Sequence, residues 1–434
     1  MKLYLIILLS LLIGCSPKIN KDPEASDQNQ KWNSILDLFN SYNKSNQFYS
    51  ISKALESYPT NNTDEAWLKL QLRLTVTSYL RNNKEYDELL NEYESRVATN
   101  DTILNTIHKN VVSDSLAINK IVESAKDHQV VMLNENHFYP SHRILATDLL
   151  VKLRAIGYTY LALETLAETQ DSLLNLEGAY PTLETGYYTR EQNYGNLLRQ
   201  AKKLGYKFVA YENIDKTKDR EIGEAENLFN KTIAIDPDAK VFVIAGISHI
   251  LEEPTSDGKK WMATVFKEKY GIDPLTISQT QLSIYRKTLP GKYNLVEKSN
   301  FNDHGLNSVD FHILNNMEYP SYWDSTFNYK NKYKENVQIA LFYSSELKTD
   351  SDFQKAIPYF TALIEKEENV TLPFNKDDEI YLVVYDEKGK VVEDQTINEN
   401  RSMNYANLQS QYPRILKNNK RFLILIVKTI KVRL

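Results

Sequence analysis

Strands and helices alternate through the middle of this chain, and this alternation restricts the possible folds more than any other feature. Apolar, β-branched runs have the length of buried strands, and amphipathic stretches such as 141–156 separate them. The predicted strands are Gln129–Leu133, Tyr158–Leu163, Lys207–Ala210, Lys240–Ala245 and Leu275–Ser278. Such alternation is typical of a mostly parallel sheet with helices on both faces. We therefore predict an α/β core over residues 106–300.

Two regions of different pattern flank this core. From 31 to 105, apolar residues recur at helical spacing between polar breaks, which predicts N-terminal α-helical hairpins. From 331 to 434, the pattern predicts a small β-rich domain with a hairpin loop at Glu387–Gly389. Its predicted strands are Val337–Tyr343, Ile380–Asp386, Lys390–Glu393 and Phe422–Arg433. Residues 301–330 form an aromatic, polar connector without a clear pattern.

The first fifteen residues have the pattern of a secretory leader. Lys2 precedes an apolar run that ends at Ile13, which is shorter than the ~20 residues of a transmembrane helix. The ending Leu12-Ile13-Gly14-Cys15 is similar to the bacterial lipobox, in which the cysteine is lipidated. We expect a lipid on Cys15, a flexible tether over 16–30, and a location at the cell envelope on the non-cytoplasmic side of a membrane. An ordinary secreted leader is the alternative.

The cysteine count and the charge exclude several classes of function. Cys15 is the only cysteine among 434 residues, so lipidation leaves no thiol for disulfides, zinc, iron–sulfur clusters or nucleophilic catalysis. The net charge of −5 does not suggest a nucleic-acid partner, since such proteins usually carry a basic field. The expected partners are a membrane, through the anchor, and a small-molecule or peptide substrate. A protein bound by the helical region is a further candidate.

Four successive predicted strands are each followed by an acid or a histidine. The residues are Glu135, His137 and His142 after the first strand, Glu164 after the second, Glu212 after the third and His249 after the fourth. Carboxyl ends of strands in open α/β sheets form the edge where ligands bind. A histidine beside a carboxylate can act as a general base, and converging glutamates require a proton, a metal or a cationic group. Taken singly, a glutamate after a strand is more often part of a solvated loop. His142 is alternatively a helix cap or a surface residue, and His249 a buried histidine with satisfied hydrogen bonds.

Several of these segments resemble one superfamily. The run Val130–His137, with His142-Arg143 and Leu161–Glu164, resembles erythromycin esterase-like, ChaN-type haem-uptake and Tiki/TraB proteins. Asp219-Arg220-Glu221 and Ala245–His249 are similar to later parts of the same pattern, so the resemblance covers the middle region only.

The resemblance implies a role for each matching residue. Glu135 and His137 would lie at the centre of the site, with His137 as base or metal ligand. Glu164 would share the metal or proton, Arg220 would hold a substrate anion or pair with an acid, and His249 would close the site. At Asn134 the superfamily favours glycine, and a β-carbon there is expected to crowd the backbone near a ligand.

The leading interpretation is hydrolysis of an ester or amide bond, in which His137 activates water and Glu135 and Glu164 orient it. His249 and Arg220 would stabilise the developing negative charge. Glu135, His137, Glu164 and His249 also have the donor types of a divalent metal site for zinc or manganese. A haem- or metal-binding lipoprotein is the main alternative. A third interpretation is an interaction lipoprotein whose site has decayed, with Asn134 as the sign.

Overall fold

The structure, a computed structural model, describes residues 34–42, 45–81, 83–303, 305–317 and 322–397. The predicted leader with Cys15, the tether over 16–30 and the predicted strand Phe422–Arg433 lie outside these ranges and stay predictions. Within the described ranges, we find no helix whose length and apolar character would suit a membrane span.

The N-terminal region is helical, as its periodicity predicts. Its helices are α1 (Ile35–Ser41), α2 (Phe48–Ser57), α3 (Thr63–Thr77), α4 (Lys84–Glu94) and α5 (Asp101–Asn110). Asparagine side chains cap the last three helices, because Asn62, Asn83 and Asn100 each accept a hydrogen bond from a main-chain amide of the first turn. Leu55 of α2 and Leu72 of α3 are fully buried in the core that these helices share.

The central sheet is mixed, so the prediction of a mostly parallel sheet holds only in part. Its strands are β1 (Val112–Ser113), β2 (Val130–Glu135), β3 (Tyr158–Leu163), β4 (Lys207–Ala210), β5 (Lys240–Gly246), β6 (Leu275–Ser278), β7 (Tyr293–Glu297) and β8 (Phe311–Asn315), in the order β1-β7-β8-β6-β2-β5-β3-β4. The pairings from β8 to β4 are parallel, whereas β7 is antiparallel to both β8 and β1. Two parallel strands need a crossover connection, usually a helix. The segment that joins β7 to β8 contains only 3₁₀ turns, so β8 runs back beside β7 in the antiparallel direction.

Helices cover both faces of this sheet. They are α6 (Ser115–Ala125), α7 (Pro140–Ala155), α8 (Gln170–Leu174), α9 (Gln192–Lys203), α10 (Arg220–Lys231) and α11 (Met262–Tyr270). Strand β2 shows the two faces, because Val131 and Leu133 pack with α6, α7 and α9, whereas Val130 and Met132 pack with α10 and α11. Burial on both sides explains why the strands are continuously apolar.

Antiparallel sheets form the C-terminal region. The strands are β9 (Ser325–Lys330), β10 (Val337–Tyr343), β11 (Phe360–Ile364), β12 (Asn369–Phe374), β13 (Ile380–Tyr385) and β14 (Val391–Ile397). One sheet has the order β11-β10-β13-β14, the other pairs β12 with β9, and their apolar sides share one core. The predicted hairpin loop Glu387–Gly389 joins β13 to β14. Residues 301–330, predicted as a connector, contain β8 of the central sheet and β9 of this region.

Helix α9 fixes the three regions to one another. The Nε2 of buried Gln192 donates to the main-chain oxygens of Tyr79, at 3.2 Å, and Thr361, at 3.0 Å. Further along the helix, Arg199 donates from Nε and Nη2 to the two carboxylate oxygens of Glu346, both at 2.7 Å. The N-terminal helices and the C-terminal sheet are therefore both attached to the α/β core.

Candidate functional site

The strands that carry the predicted residues are neighbours in the sheet. Because β2, β5, β3 and β4 are adjacent and parallel, their carboxyl ends lie along one edge. A pocket of about 260 Å³ opens at this edge. Six of the predicted residues line it, namely Glu135, His137, Glu164, Glu212, Arg220 and His249. The structure thus brings together side chains that are more than a hundred residues apart in the chain.

Glu135 and His137 form a dyad at the end of β2. The Nδ1 of His137 lies 2.9 Å from Glu135 Oε1, and its ring stacks on Tyr188 with 3.8 Å between centroids. Burial alone would raise the pKa of Glu135, but Arg143 and the hydrogen bond with His137 lower it to about 2. The carboxylate is therefore ionised near neutral pH, and Nδ1 donates to it. No residue in the described part of the chain hydrogen-bonds to Nε2, which leaves this nitrogen to accept a proton from a ligand.

Arg143 holds the dyad from inside the core. It is fully buried, and it donates from Nε to Glu135 Oε2 at 2.9 Å and from Nη2 to Glu135 Oε1 at 3.0 Å. Its Nη1 lies 3.3 Å from Oε2 of Glu191, which is also fully buried. Such bidentate pairing fixes the plane of the carboxylate. Sequence reasoning did not select Arg143 as a site residue, although an arginine inside the apolar pattern of α7 is a usable signal.

His142 is the predicted candidate that the structure places outside the pocket lining. It lies in the first turn of α7, where its Nδ1 accepts a hydrogen bond from the amide of Asn136 at 3.0 Å. Its ring stacks on Tyr139, and burial lowers its pKa to about 3. A neutral ring is required for this acceptor role. His142 therefore fixes the loop that carries His137.

Arg220 organises the other half of the pocket from the start of α10. Asp219 caps this helix by accepting from the amides of its first turn, as the predicted helix start requires. Arg220 donates from Nε and Nη2 to the two oxygens of Glu212, at 2.9 and 2.5 Å, and from Nη2 to Glu164 Oε1 at 2.7 Å. The arginine pairs with acids, which is one of the two roles that the resemblance implies.

His249 lies between carboxylates and a guanidinium. Its Nδ1 lies 2.7 Å from Glu221 Oε2 and 3.0 Å from Glu224 Oε2. Its Nε2 lies 2.9 Å from Arg220 Nη1 and 3.7 Å from Glu164 Oε1. Burial lowers the pKa of His249, but Glu224 and Glu164 raise it more, so the net shift is upward. The carboxylates at Nδ1 favour the protonated ring. Arginine can only donate, so its contact with Nε2 favours the neutral ring. The two nitrogens of the imidazole thus favour opposite charge states.

Glu224 is a fully buried carboxylate that sequence reasoning missed. Its Oε1 lies 3.0 Å from Arg220 Nε and its Oε2 lies 3.0 Å from His249 Nδ1. Neither oxygen has a partner in hydrogen-bonding geometry among the described residues. Burial raises the pKa of Glu224 to about 8. The signal was available, because positions 220, 221 and 224 lie on one face of a helix.

The possible metal ligands differ from the predicted set. Donor atoms of Glu164, Glu224 and His249 lie within 4.8 Å of one another. Glu135, which was predicted as a ligand, instead holds Arg143 and His137 with its two oxygens.

Gly246, at the end of β5, allows the backbone to approach Glu164. Its amide donates to Glu164 Oε2, and a β-carbon at this position would lie 2.9 Å from the same oxygen. Any larger residue therefore has to displace the Glu164 carboxylate.

Asn134 does not crowd the pocket, contrary to the expectation for this position. It is buried away from the pocket lining. Its Nδ2 donates to Ile247 O at 2.6 Å and to Thr280 Oγ1 at 2.8 Å, and its Oδ1 accepts from the amide of Gln279 at 2.7 Å. The asparagine therefore has a structural role, which removes the feature that suggested a decayed site.

Aromatic residues and the N-terminal helices form the remaining wall. The aromatic lining consists of Tyr93, Phe138, Tyr187, Tyr188, Tyr194 and Trp261. Gln71 and Thr75 of α3 also face the pocket, so the helical region helps to enclose it. A volume of about 260 Å³ lies just below the range of about 300–1,000 Å³ for small-molecule sites. The pocket therefore suits a small group rather than a large cofactor.

Comparison of the sequence with known protein families and with curated proteins finds no match. Among solved structures, the type III effector HopBA1 has a TM-score of 0.32 and 16% identity, over 48% of this chain and 96% of that chain. ChaN of Campylobacter jejuni, described with cofacial haem binding, has a TM-score of 0.29 and 11% identity, over 45% of this chain and 90% of that chain. RRSP, a MARTX toxin effector domain from Vibrio vulnificus, has a TM-score of 0.23 and 14% identity, over 50% of each chain. The expected resemblance to ChaN-type proteins is thus supported only distantly, and these comparisons assign the chain to no family.

Proposed function

We propose that this chain is a lipid-anchored hydrolase of the cell envelope that cleaves an ester or amide bond in a small molecule or peptide. The supporting observation is the Glu135–His137 dyad, in which an ionised carboxylate holds Nδ1 and leaves Nε2 for a ligand in the pocket. A histidine held in this way has the tautomer that a general base needs.

The reaction follows from these positions. The Nε2 of His137 takes a proton from water while the water oxygen attacks the carbonyl carbon. The resulting tetrahedral intermediate collapses, the C–O or C–N bond breaks, and the proton on Nε2 passes to the leaving group. Glu135 offsets the positive charge on the imidazole during both steps. Arg220 and Lys259 also line the pocket, and their positive charge stabilises the developing oxyanion.

The test is hydrolysis of a panel of nitrophenyl esters and aminoacyl nitroanilides by the full chain purified in detergent. His137→Ala should lose at least about a hundredfold in kcat/KM, as expected for a general base, and regain part of it with added imidazole. The matched control is His128→Ala, which removes a histidine bonded to Ser124 O away from the pocket. Equal activity of His137→Ala and the wild type, with unchanged circular dichroism, would refute the proposed base.

Haem capture is the alternative assignment of the same pocket, and the small volume argues against it. Titration with haem should therefore give no Soret band that depends on His137. A band that His137→Ala abolishes, in a protein without hydrolytic activity, would assign the pocket to haem instead.

The envelope location is supported by the apolar run that ends in Leu12-Ile13-Gly14-Cys15. In bacterial cells, Cys15→Ser should abolish incorporation of labelled palmitate and release the protein from the membrane fraction. Membrane association that survives this substitution would show that the chain is not held by a lipid on Cys15.

A further inference from the structure

We propose that Glu164, Glu224 and His249 form a binding site for one divalent transition-metal ion, Zn²⁺ or Mn²⁺. The site lies in the pocket of the proposed hydrolase, and the catalytic meaning of the metal, though not its binding, rests on that proposed function. The site differs from the set that the sequence predicted, because Glu224 replaces Glu135 and His137.

The donor set has the chemistry and the spacing of such a site. Two carboxylates and one imidazole present donor atoms within 4.8 Å of one another. Nitrogen and oxygen donors of this kind suit zinc and manganese, and three protein ligands leave a coordination position for water or substrate.

The strongest sign of a missing partner is the carboxylate of Glu224. It is fully buried, its oxygens reach toward Arg220 and His249 at 3.0 Å, and neither contact has hydrogen-bonding geometry among the described residues. A buried carboxylate that lacks hydrogen bonds is costly, and coordination of a cation is one way to offset the cost.

The charges around the site also leave room for a divalent ion. The acidic groups are Glu164, Glu212, Glu221 and Glu224, and the cations that contact them are Arg220 and Lys259. Metal ligands are deprotonated, so the site binds a metal with His249 neutral and Glu224 ionised, and in that state two negative charges are left without a counter-charge. Arg220 contacts all three ligands, from Nη2 to Glu164, from Nη1 to His249 and from Nε to Glu224. A metal ion would therefore shift the guanidinium toward Glu212, which binds it through both carboxylate oxygens.

The test is metal binding by the full chain, purified in detergent, stripped with a chelator and titrated separately with Zn²⁺ and Mn²⁺. We expect about one equivalent to remain after gel filtration, and Glu224→Gln should weaken binding at least tenfold. The matched control is Glu226→Gln on the same helix, whose carboxylate pairs with Lys218 and Lys269 at the surface. This control should bind metal as the wild type does.

Two outcomes would overturn the metal site. One is a wild-type chain that retains neither ion, and the other is Glu224→Gln binding as tightly as the wild type. If circular dichroism shows that Glu224→Gln does not fold, Glu164→Gln takes its place in the test. Metal binding by Glu164→Gln as tight as that of the wild type would then overturn the site.

His137→Ala separates this inference from the proposed function, because it removes the base and leaves the three ligands. It should lose hydrolysis and keep the metal. A wild-type chain that binds one equivalent of metal but hydrolyses no ester or amide would refute the hydrolase alone. Hydrolysis by a wild-type chain that retains neither ion after titration would refute the metal site alone.

Discussion

The side-chain amide of Asn134 donates to the main-chain oxygen of Ile247 across 2.6 Å, and so joins the end of β2 to the loop after β5. Glu135 follows Asn134 directly, and His249 lies two residues after Ile247. One hydrogen bond therefore connects the segments that carry the two halves of the pocket.

Asn134→Gly should destabilise the fold without removing a group from the pocket. The substitution leaves Ile247 O and the amide of Gln279 without their partner, which costs about 1–3 kcal/mol for each buried group left unsatisfied. Urea unfolding measures this loss, and kcat for the best substrate should stay within about threefold of the wild type. Unchanged stability would mean that water or a neighbouring residue replaces these contacts.

Arg143→Met should cost about 3–5 kcal/mol of unfolding free energy, because it leaves Glu135 and Glu191 as uncompensated buried charges. The control is Arg96→Met, which breaks an exposed pair with Glu92 and should cost less than about 1 kcal/mol. Chemical denaturation of both variants provides the comparison. Equal effects would show that the buried pair does not stabilise the fold.

Stability should fall in acid through Glu135 and Glu164. Burial opposes ionisation of both groups, but neighbouring cations lower each pKa to about 2 from the usual 4.5. A carboxyl with a lowered folded pKa stabilises the fold above its usual pKa, and this contribution is lost as the pH falls toward 2. Midpoints of urea unfolding measured between pH 5 and about 2 should therefore decrease, and less steeply in Glu135→Gln. The same slope in the variant would rule out Glu135 as a source.

Gly246→Ala should lower kcat at least tenfold, because the new β-carbon would lie 2.9 Å from Glu164 Oε2 and displace this carboxylate from Arg220. Gly195→Ala is the matched control, since its β-carbon would lie 2.9 Å from the Ile357 side chain, outside the pocket. The control should lose stability but keep kcat. A wild-type rate in Gly246→Ala would show that the position of Glu164 is not needed for turnover.

Local sequence patterns predicted those elements whose buried residues form a regular apolar pattern. The strands 158–163, 207–210 and 275–278 lie at the predicted positions, because burial on both faces gives a continuous apolar run. The position of Glu135, Glu164 and His249 at one pocket was also predictable from the sequence, because the carboxyl ends of neighbouring parallel strands lie at a common edge of the sheet.

Features that depend on distant partners were not predictable in this way. Strand β8 pairs with β6 and β7, and its five residues carry no signal that separates it from a connector. The buried arginine Arg143 pairs with Glu135 and Glu191 on other elements, and the buried acid Glu224 reaches His249 after β5 in addition to Arg220 on its own helix. A rule that marks charged residues inside apolar helical faces would have selected Arg143.

The N-terminal helices contribute Gln71, Thr75 and Tyr93 to a pocket whose acids, histidines and arginine all come from the α/β core. In the proposed hydrolase, the reactive groups therefore come from one stretch of sequence, and the helices add part of the wall that contacts the ligand. We expect substitutions in the helices to change which molecules the pocket admits and to leave its acids, histidines and arginine in place. For protein engineering, this makes α3 and α4 the place to diversify and the edge of the sheet the place to leave intact.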